Sequence, residues 1–382
     1  NTTASENTAV GYKAGYANTT GAEIVAVGER ALTTNTTGNY NTALGRVALF
    51  LNTTGASNTA VGNNALRSNT TASNNTAVGY QAGYSNTTAT HNTFIGRGSG
   101  YSTTTGGDNV ALGSSALYTN AGGTSNTSIG YSSMYYNTSG TNNVALGKDA
   151  LQNNTTASNN TAVGYLAGRA NQTGTYNSFS GALSGYNSIA DNNTFLGFAS
   201  GYGSTGSRNT IVGARNGTLG SGQSMTTGNA NTILGAFSGN QDGLDIRTRS
   251  SHVVLSDGDG DRRFHAAEKG TNIYARKDNR AGGWSFGANI VAGTGTVTIT
   301  LAKVPSRGGN DEVMFMVDCI SVNAVSNCSG SFLNGLARID TNGGSESLVQ
   351  PTKTQCGNNP GTVTLQWDKS ANPYLLQAVC VR

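Results

Sequence analysis

The sequence predicts an all-β chain with a parallel β-solenoid over residues 1–240, a hairpin-and-linker neck over 241–289 and a β-sandwich tip over 290–382. Three observations carry that expectation. Glycine returns every 17 residues through most of the first part, and a fixed Asn and a fixed aliphatic residue accompany it. Composition then shifts after Asn240, and from about 290 the apolar period becomes two.

The composition suits such a chain. Of 382 residues 54 are Gly, while 23 are Lys or Arg and 19 Asp or Glu, for a net charge of +4. Leu, Ile, Val and Phe together are under a fifth of the chain, which would mean disorder if the net charge were large. It is small, and a chain poor in bulky apolar groups can order by stacking repeats whose hydrogen-bond ladders replace a thick core. Collagen is excluded, because Pro is only 4 and Gly lacks a period of three. No apolar run approaches the ~20 residues of a membrane helix, so no membrane insertion is expected. Residues 1–20 lack the apolar centre of a signal peptide. The scattered positive charge argues against a nucleic-acid partner. The chain opens mid-pattern at Asn1-Thr2-Thr3-Ala4-Ser5 and reads as a fragment or processed product, with any targeting information outside it.

The repeat is N-T-A-V-G at 7–11, N-T-A-L-G at 41–45 and N-T-A-V-G at 58–62 and 75–79. Its glycines, from Gly11 through Gly28 and Gly45 to Gly181, are spaced by 17 ten times running; the spacing is then 16 at Gly197 and Gly213, and 22 at Gly235 after a Gly/Ser/Thr-rich insertion. Asn stands four residues before 13 of these 14 glycines, Ile24 being the exception, and Val, Leu or Ile directly before 13, Ser180 being the exception. A short β-compatible segment closed by glycine is a strand ending at a tight bend. A second short strand is expected at Ala31-Leu32, Ala65-Leu66 and Ala116-Leu117, with turns at Asn18-Thr19-Thr20-Gly21 and Asn52-Thr53-Thr54-Gly55. At ~4.8 Å per turn, the stack would run roughly 65–70 Å. Asn7, Asn41, Asn58, Asn75, Asn92, Asn109, Asn126, Asn143 and Asn160 are expected to form an amide ladder, each side chain bonding the copies above and below. The alternative is that Asn and Thr merely mark turns.

The strand is apolar at both parities: Val10 or Leu44 on one, and Ala9, Ala43, Ala60, Phe94, Phe179, Phe195, Ile211 and Ile233 on the other. Such a strand needs cover on both faces, and one thin turn cannot supply it. A homo-oligomer with cyclic symmetry about the solenoid axis is therefore expected.

N-T-A-V-G-Y-K-A-G-Y at 7–16 and N-T-A-V-G-Y-Q-A-G-Y at 75–84 resemble the head repeats of trimeric autotransporter adhesins, and equally the solenoid repeats of bacteriophage tail fibres. The resemblance covers about 240 of the 382 residues. It implies a trimeric, left-handed parallel β-roll, with loops that stand out further than in adhesin heads because the turn here is longer.

After the repeats, Val253-Val254-Leu255, the run Ser256-Asp257-Gly258-Asp259-Gly260-Asp261 and Arg262-Arg263-Phe264 read as strand, turn and strand, and resemble the segment that ends solenoids in phage fibres. A linker from Lys269 to Gly283 leads to Trp284 and Phe286. Strands are expected at Thr296–Val304, Val313–Val322, Thr362–Trp367 and Tyr374–Val381, as in a β-sandwich or jelly roll. Loop economy favours pairing Cys319 with Cys328 and Cys356 with Cys380; four reduced thiols are the alternative.

Chemistry is sparse. Asp257, Asp259, Asp261 and Glu268 match the spacing of a calcium loop, but Arg262 stands where glycine is needed and a hairpin turn is favoured. His91, His252 and His265 read as exposed loop residues. The shaft acids lie in different turns, and the tip acids Asp311, Glu312, Asp318, Asp340, Glu346 and Asp368 could converge but read as solvated loop residues, so no enzymatic activity, cofactor or metal is expected. Tyrosines recur five residues after the glycine at Tyr16, Tyr84, Tyr101, Tyr118, Tyr135, Tyr186 and Tyr202, and are expected to stack on one another more than on sugars. Trp284, Arg307, Trp367 and Tyr374 are the candidate receptor-binding residues. The resulting expectation is a homotrimeric phage tail fibre of the virion tail, attached to other virion tail proteins and binding a host cell-surface glycan or protein through residues 285–382. The passenger region of an adhesin at a bacterial cell surface and a polysaccharide-degrading tailspike are the alternatives.

Overall fold

The computed structural model describes residues 3–213, 220–241 and 244–267 in full, and beyond them the backbone of the strands Gly270–Tyr274, Phe286–Ile290, Thr296–Leu301, Asp311–Asp318, Phe332–Ile339, Thr362–Asp368 and Leu375–Val381. The chain divides into two compact units, one comprising Asn1–His252 and Ser256–Asp261, the other Val253–Leu255 and Arg262–Arg382.

The first unit is a parallel β-solenoid. Among the described residues, fourteen three-residue strands run from Thr8–Val10 to Thr232–Leu234, each paired in parallel with its copy one turn on. Thr42 lies beside Thr59, Ala43 beside Ala60 and Leu44 beside Val61. Where the spacing changes, the pairing still follows the pattern: Phe195 lies beside Ile211, and Ile211 beside Ile233. Register is thus held by residue type at each slot rather than by chain length. The described residues include no helix.

Burial alternates along each strand. The middle residue is sealed inside, as at Ala26, Ala43, Ala60, Phe94 and Ile211, whereas the residue before the glycine faces out, with Val10 59%, Leu44 46% and Leu196 49% exposed. Val78 is accordingly only half-buried, and Ala77 holds the buried position. At the corner, Gly62 has φ +134, and a Cβ there would lie 2.5 Å from the carbonyl oxygen of Gly79 in the next turn. Only glycine lets successive coils approach this closely.

The second strand expected at Ala31-Leu32, Ala65-Leu66 and Ala116-Leu117 does not form. Leu32, Leu66 and Leu117 have φ of 48, 47 and 54. That left-handed backbone costs a Leu about 1–2 kcal/mol. A β conformation would carry the chain straight on, while the positive φ bends it back over the core. The interturn bonds survive the bend: Leu32 N–H donates to the Ala48 carbonyl at 3.0 Å, and Leu66 N–H to Ala82 at 2.9 Å. All three leucines are fully buried, which offsets the strain.

Two walls fill the core in complementary fashion. Most turns with Ala in mid-strand place Leu four residues after the corner glycine, pairing Ala43 with Leu49, Ala60 with Leu66, Ala111 with Leu117 and Ala145 with Leu151, whereas Ala9, Ala77 and Ala162 have Gly15, Gly83 and Gly168 there. Turns with Phe in mid-strand place Gly there instead, as for Phe94 with Gly100, Phe179 with Gly185 and Phe195 with Gly201. A Cβ on Gly201 would stand 2.6 Å from Cδ2 of Phe195, closer than real side chains approach. A turn of either kind receives one large side chain, from one wall or the other, and at Gly83 and Gly168 the space is taken by Leu66 with Phe94 and by Leu151 with Phe179 of the adjacent turns.

The second unit is antiparallel. Arg262–Ala267 pairs with Gly270–Tyr274, which pairs with Phe286–Ile290; Thr296–Leu301, Leu375–Val381 and Thr362–Asp368 follow in that spatial order. Asp311–Asp318 forms a separate pair with Phe332–Ile339, a strand that the sequence pattern does not single out.

Candidate functional site

The residues expected to bind a receptor fall largely outside the described residues: Trp284, Arg307 and Tyr374 lie there, as do Cys319, Cys328 and Cys356 of the proposed disulfides. Trp367 and Cys380 are placed by backbone alone, opposite Leu376 and Val363. The surfaces that carry chemistry among the described residues belong to the solenoid, and its asparagines set their geometry.

From Asn41 to Asn160, Oδ1 of each slot Asn accepts the backbone N–H of the Asn one turn later at 2.9–3.0 Å. Asn7 does the same for Ile24 at 3.0 Å. The amide nitrogens donate into the next loop, Asn41 to Gly55 at 2.7 Å and Asn58 to Ala72 at 2.9 Å. The column is thus mainly side chain to backbone, and it satisfies groups that a turn would leave exposed.

A second asparagine column runs through the loops read as turns. Nδ2 of Asn35, Asn52, Asn69 and Asn86 donates to Oδ1 of the preceding copy at 2.7–2.9 Å, and the pattern resumes with Asn137 and Asn154 at 2.7 Å. Its spacing, seven residues after the corner glycine, is visible in the sequence. Thr103 interrupts it, leaving Thr103 Oγ1 and Asn86 Oδ1 buried without partners.

Five residues after the corner glycine stands a column of flat groups. Tyr84, Tyr101, Tyr118 and Tyr135 stack at 4.8–5.0 Å with ring planes within 5°, and Tyr186 stacks on Tyr202 at 4.9 Å. The guanidinium of Arg67 lies 5.6 Å from the Phe50 ring and 5.5 Å from that of Tyr84. Arg169 donates to Gln152 Oε1 at 2.9 Å and to the Tyr186 hydroxyl at 2.8 Å. Sequence reasoning found the tyrosines and missed Phe50, Arg67, Gln152 and Arg169, although they occupy the same slot. Burial, and then the neighbouring phenols, hold the Tyr101 and Tyr135 hydroxyls above the ordinary phenol range. Because the stacked rings cover each other's faces, these columns present edges rather than sugar-binding platforms.

On the strand face, the aliphatic row before the glycines is flanked by a row just after them that includes exposed Tyr12, Tyr80, Tyr131, Tyr165 and Phe198. Lys148 sits 5.8 Å from the Tyr131 ring and 5.8 Å from that of Tyr165. Beside the second asparagine column, a groove of about 470 Å³ is lined by Thr119, Tyr136, Thr138, Asn153, Thr155 and Gln172.

The histidines are not all on exposed loops. His91 is exposed, 3.8 Å from Asp108, but His252 and His265 are buried. His252 continues the asparagine column: its N–H donates to Asn231 Oδ1 at 2.9 Å and its carbonyl accepts from Thr232 at 2.8 Å. Burial, aided by Arg249, holds its imidazole below the ordinary histidine range. Asp257 Oδ1 accepts the N–H groups of Asp259 and Asp261 at 3.0 and 2.9 Å, closing a turn, and no cluster of metal-ligating side chains occurs among the described residues.

No family model matches the chain, and neither the curated proteins nor the solved structures include a significant match.

Proposed function

We propose that this chain is the shaft and tip of a homotrimeric attachment fibre, a phage tail fibre carried on the virion tail, whose second unit forms a β-sandwich knob that binds a glycan or protein of the host cell surface. The observation that carries this reading is the exposed aliphatic row, with Val10, Leu44, Leu112, Leu146, Leu196 and Leu234 all facing solvent in the single chain. A soluble monomer rarely leaves so long an apolar stripe uncovered. Two further copies, related by rotation about an axis parallel to the coil and beside it, would cover it with the same row, and the flanking tyrosines would form the rim. A straight, strongly hydrogen-bonded shaft suits spacing and avidity, while recognition belongs to an irregular end.

The repeats resemble adhesin heads equally well, but the antiparallel strands after the solenoid favour a fibre tip over the coiled-coil stalk an adhesin would need next. Two measurements test the proposal. Light scattering at micromolar concentration should give three chains per particle, and the purified trimer should bind host bacteria and block infection by the parent particle. A monomer, or a trimer that binds no bacterial surface, would refute it.

A further inference from the structure

We propose that the solenoid carries a binding subsite for a neutral sugar ring, built on Tyr136 in the groove it shares with Asn153 and Gln172. This subsite lies on the second segment of the turn and its following loop rather than on the strands or in the tip, and it does not rest on the attachment role.

The repeat breaks locally here. Six residues after the corner glycine stand Ala17, Thr34, Leu51, Ser68, Ser85, Ser102 and Thr119, and then Tyr136 and Asn153. Eight residues after it, Thr19, Thr36, Thr53, Thr70, Thr87, Thr104 and Ala121 lead to Thr138, Thr155 and then Gln172. Folding does not require these departures, because small residues fill the same slots in turns of the same geometry. Yet all three line one groove of about 470 Å³.

The aromatic ring itself is left with a free face. The stacked tyrosines spend their faces on one another, but Tyr136 has Thr119 and Asn153 as its copies above and below, so no ring of its own column covers it. It is held edge to face against Tyr135, with centroids 4.7 Å apart and planes at 69°, and remains 49% exposed. A fixed, half-exposed phenol ring is the platform on which the C–H face of a pyranose rests.

Polar side chains line the groove. The side-chain amides of Asn153 and Gln172 are among them and make no hydrogen bond among the described residues, so both offer donors and an acceptor. The hydroxyls of Thr119, Thr138 and Thr155 donate to the carbonyls of Tyr135, Thr155 and Gln172, which orients their remaining lone pairs. No charged residue lines the groove. That selects a neutral hexose over a sialic acid, a uronate or a phosphorylated sugar, each of which would need a cation.

The test uses the full chain on an array of neutral, sialylated and uronic oligosaccharides, followed by titration calorimetry on each oligosaccharide retained. Tyr136→Ser installs the residue that Ser68, Ser85 and Ser102 place in this slot, so the fold should survive with an unchanged melting temperature. Tyr40→Ser, another exposed tyrosine outside the groove, is the control. At least one neutral oligosaccharide should lose tenfold or more in affinity in Tyr136→Ser and several-fold in Asn153→Ser, with Tyr40→Ser unchanged. If no neutral oligosaccharide depends on Tyr136 beyond its dependence on Tyr40, the proposal is wrong. Binding to cells does not enter the result, so failure of the attachment reading remains distinguishable.

Discussion

Exchanging the large side chain between the two walls of one coil should conserve stability, while either half of the exchange alone should destroy much of it. Phe195 is fully buried, and Gly201 faces it at φ +60 with room for no Cβ. Phe195→Ala removes the ring and leaves a cavity, at a cost of about 3–5 kcal/mol. Gly201→Leu alone drives a side chain into that ring, costing about 1–3 kcal/mol for overpacking plus about 1–2 kcal/mol for the left-handed backbone. The double variant recreates the Ala-with-Leu arrangement of Ala43 and Leu49, where Leu49 already adopts φ 49. It should retain only the backbone cost, so the two changes should couple by at least about 4 kcal/mol. At about 2–4 °C per kcal/mol, each single variant should melt roughly 5–20 °C below the wild type, and the double variant within about 8 °C of it. Melting followed by circular dichroism gives the order. Additive losses in the double variant would show that the two walls are not interchangeable.

Three further outcomes are expected. Ala77→Asp should abolish the fold by burying an unpaired carboxylate, Val78→Asp should leave a folded monomer because its side chain lies on the outer row, and Thr87→Asp should remain folded and trimeric; light scattering with circular dichroism separates the three. Thr103→Asn should join the two runs of the second asparagine column by giving Asn86 Oδ1 its missing donor, raising stability by about 1–3 kcal/mol, and an unchanged or lower melting temperature would contradict it. Since the His252 imidazole is held below its ordinary value, the unfolded chain takes up a proton that the fold resists between the lowered value and about 6.5, so stability contributed by neutral His252 is present above pH 6.5 and lost as the pH falls through that window. His252→Gln should flatten the dependence of melting temperature on pH there, which a titration series from pH 7.5 to about 4.5 reads directly.

The solenoid was legible because its determinants recur. The corner glycines and the Asn four residues before them identify the strand and its end. Composition cannot reveal a leucine at positive φ: Leu32 and Leu66 read as strand residues because nothing local forces a bend, and only burial on the far wall makes the strained backbone acceptable. Likewise the second asparagine column sits in segments rich in Asn, Thr and Gly, where turn chemistry is the natural reading. What distinguishes Asn52 from an ordinary turn residue is the recurrence of its slot at Asn35 and Asn69, not its neighbours along the chain.

The candidate site was harder to see for a related reason. Recurrence marks what repeats, and the tyrosines repeat; yet Arg67 occupies the tyrosine slot and bridges the column there, its flat guanidinium lying 5.6 Å from the Phe50 ring and 5.5 Å from that of Tyr84. A slot is therefore defined by shape and hydrogen bonding rather than residue name. Once Arg67 and Gln152 are counted as members of the column, the departures that remain are few, and Tyr136 is the one that adds an aromatic group where every earlier turn has a small or aliphatic residue. In a chain whose period already accounts for its fold, such a departure has no structural work to do at its own slot. Tyr136, rather than the longer tyrosine rows, is therefore the aromatic group on the shaft that is left for binding.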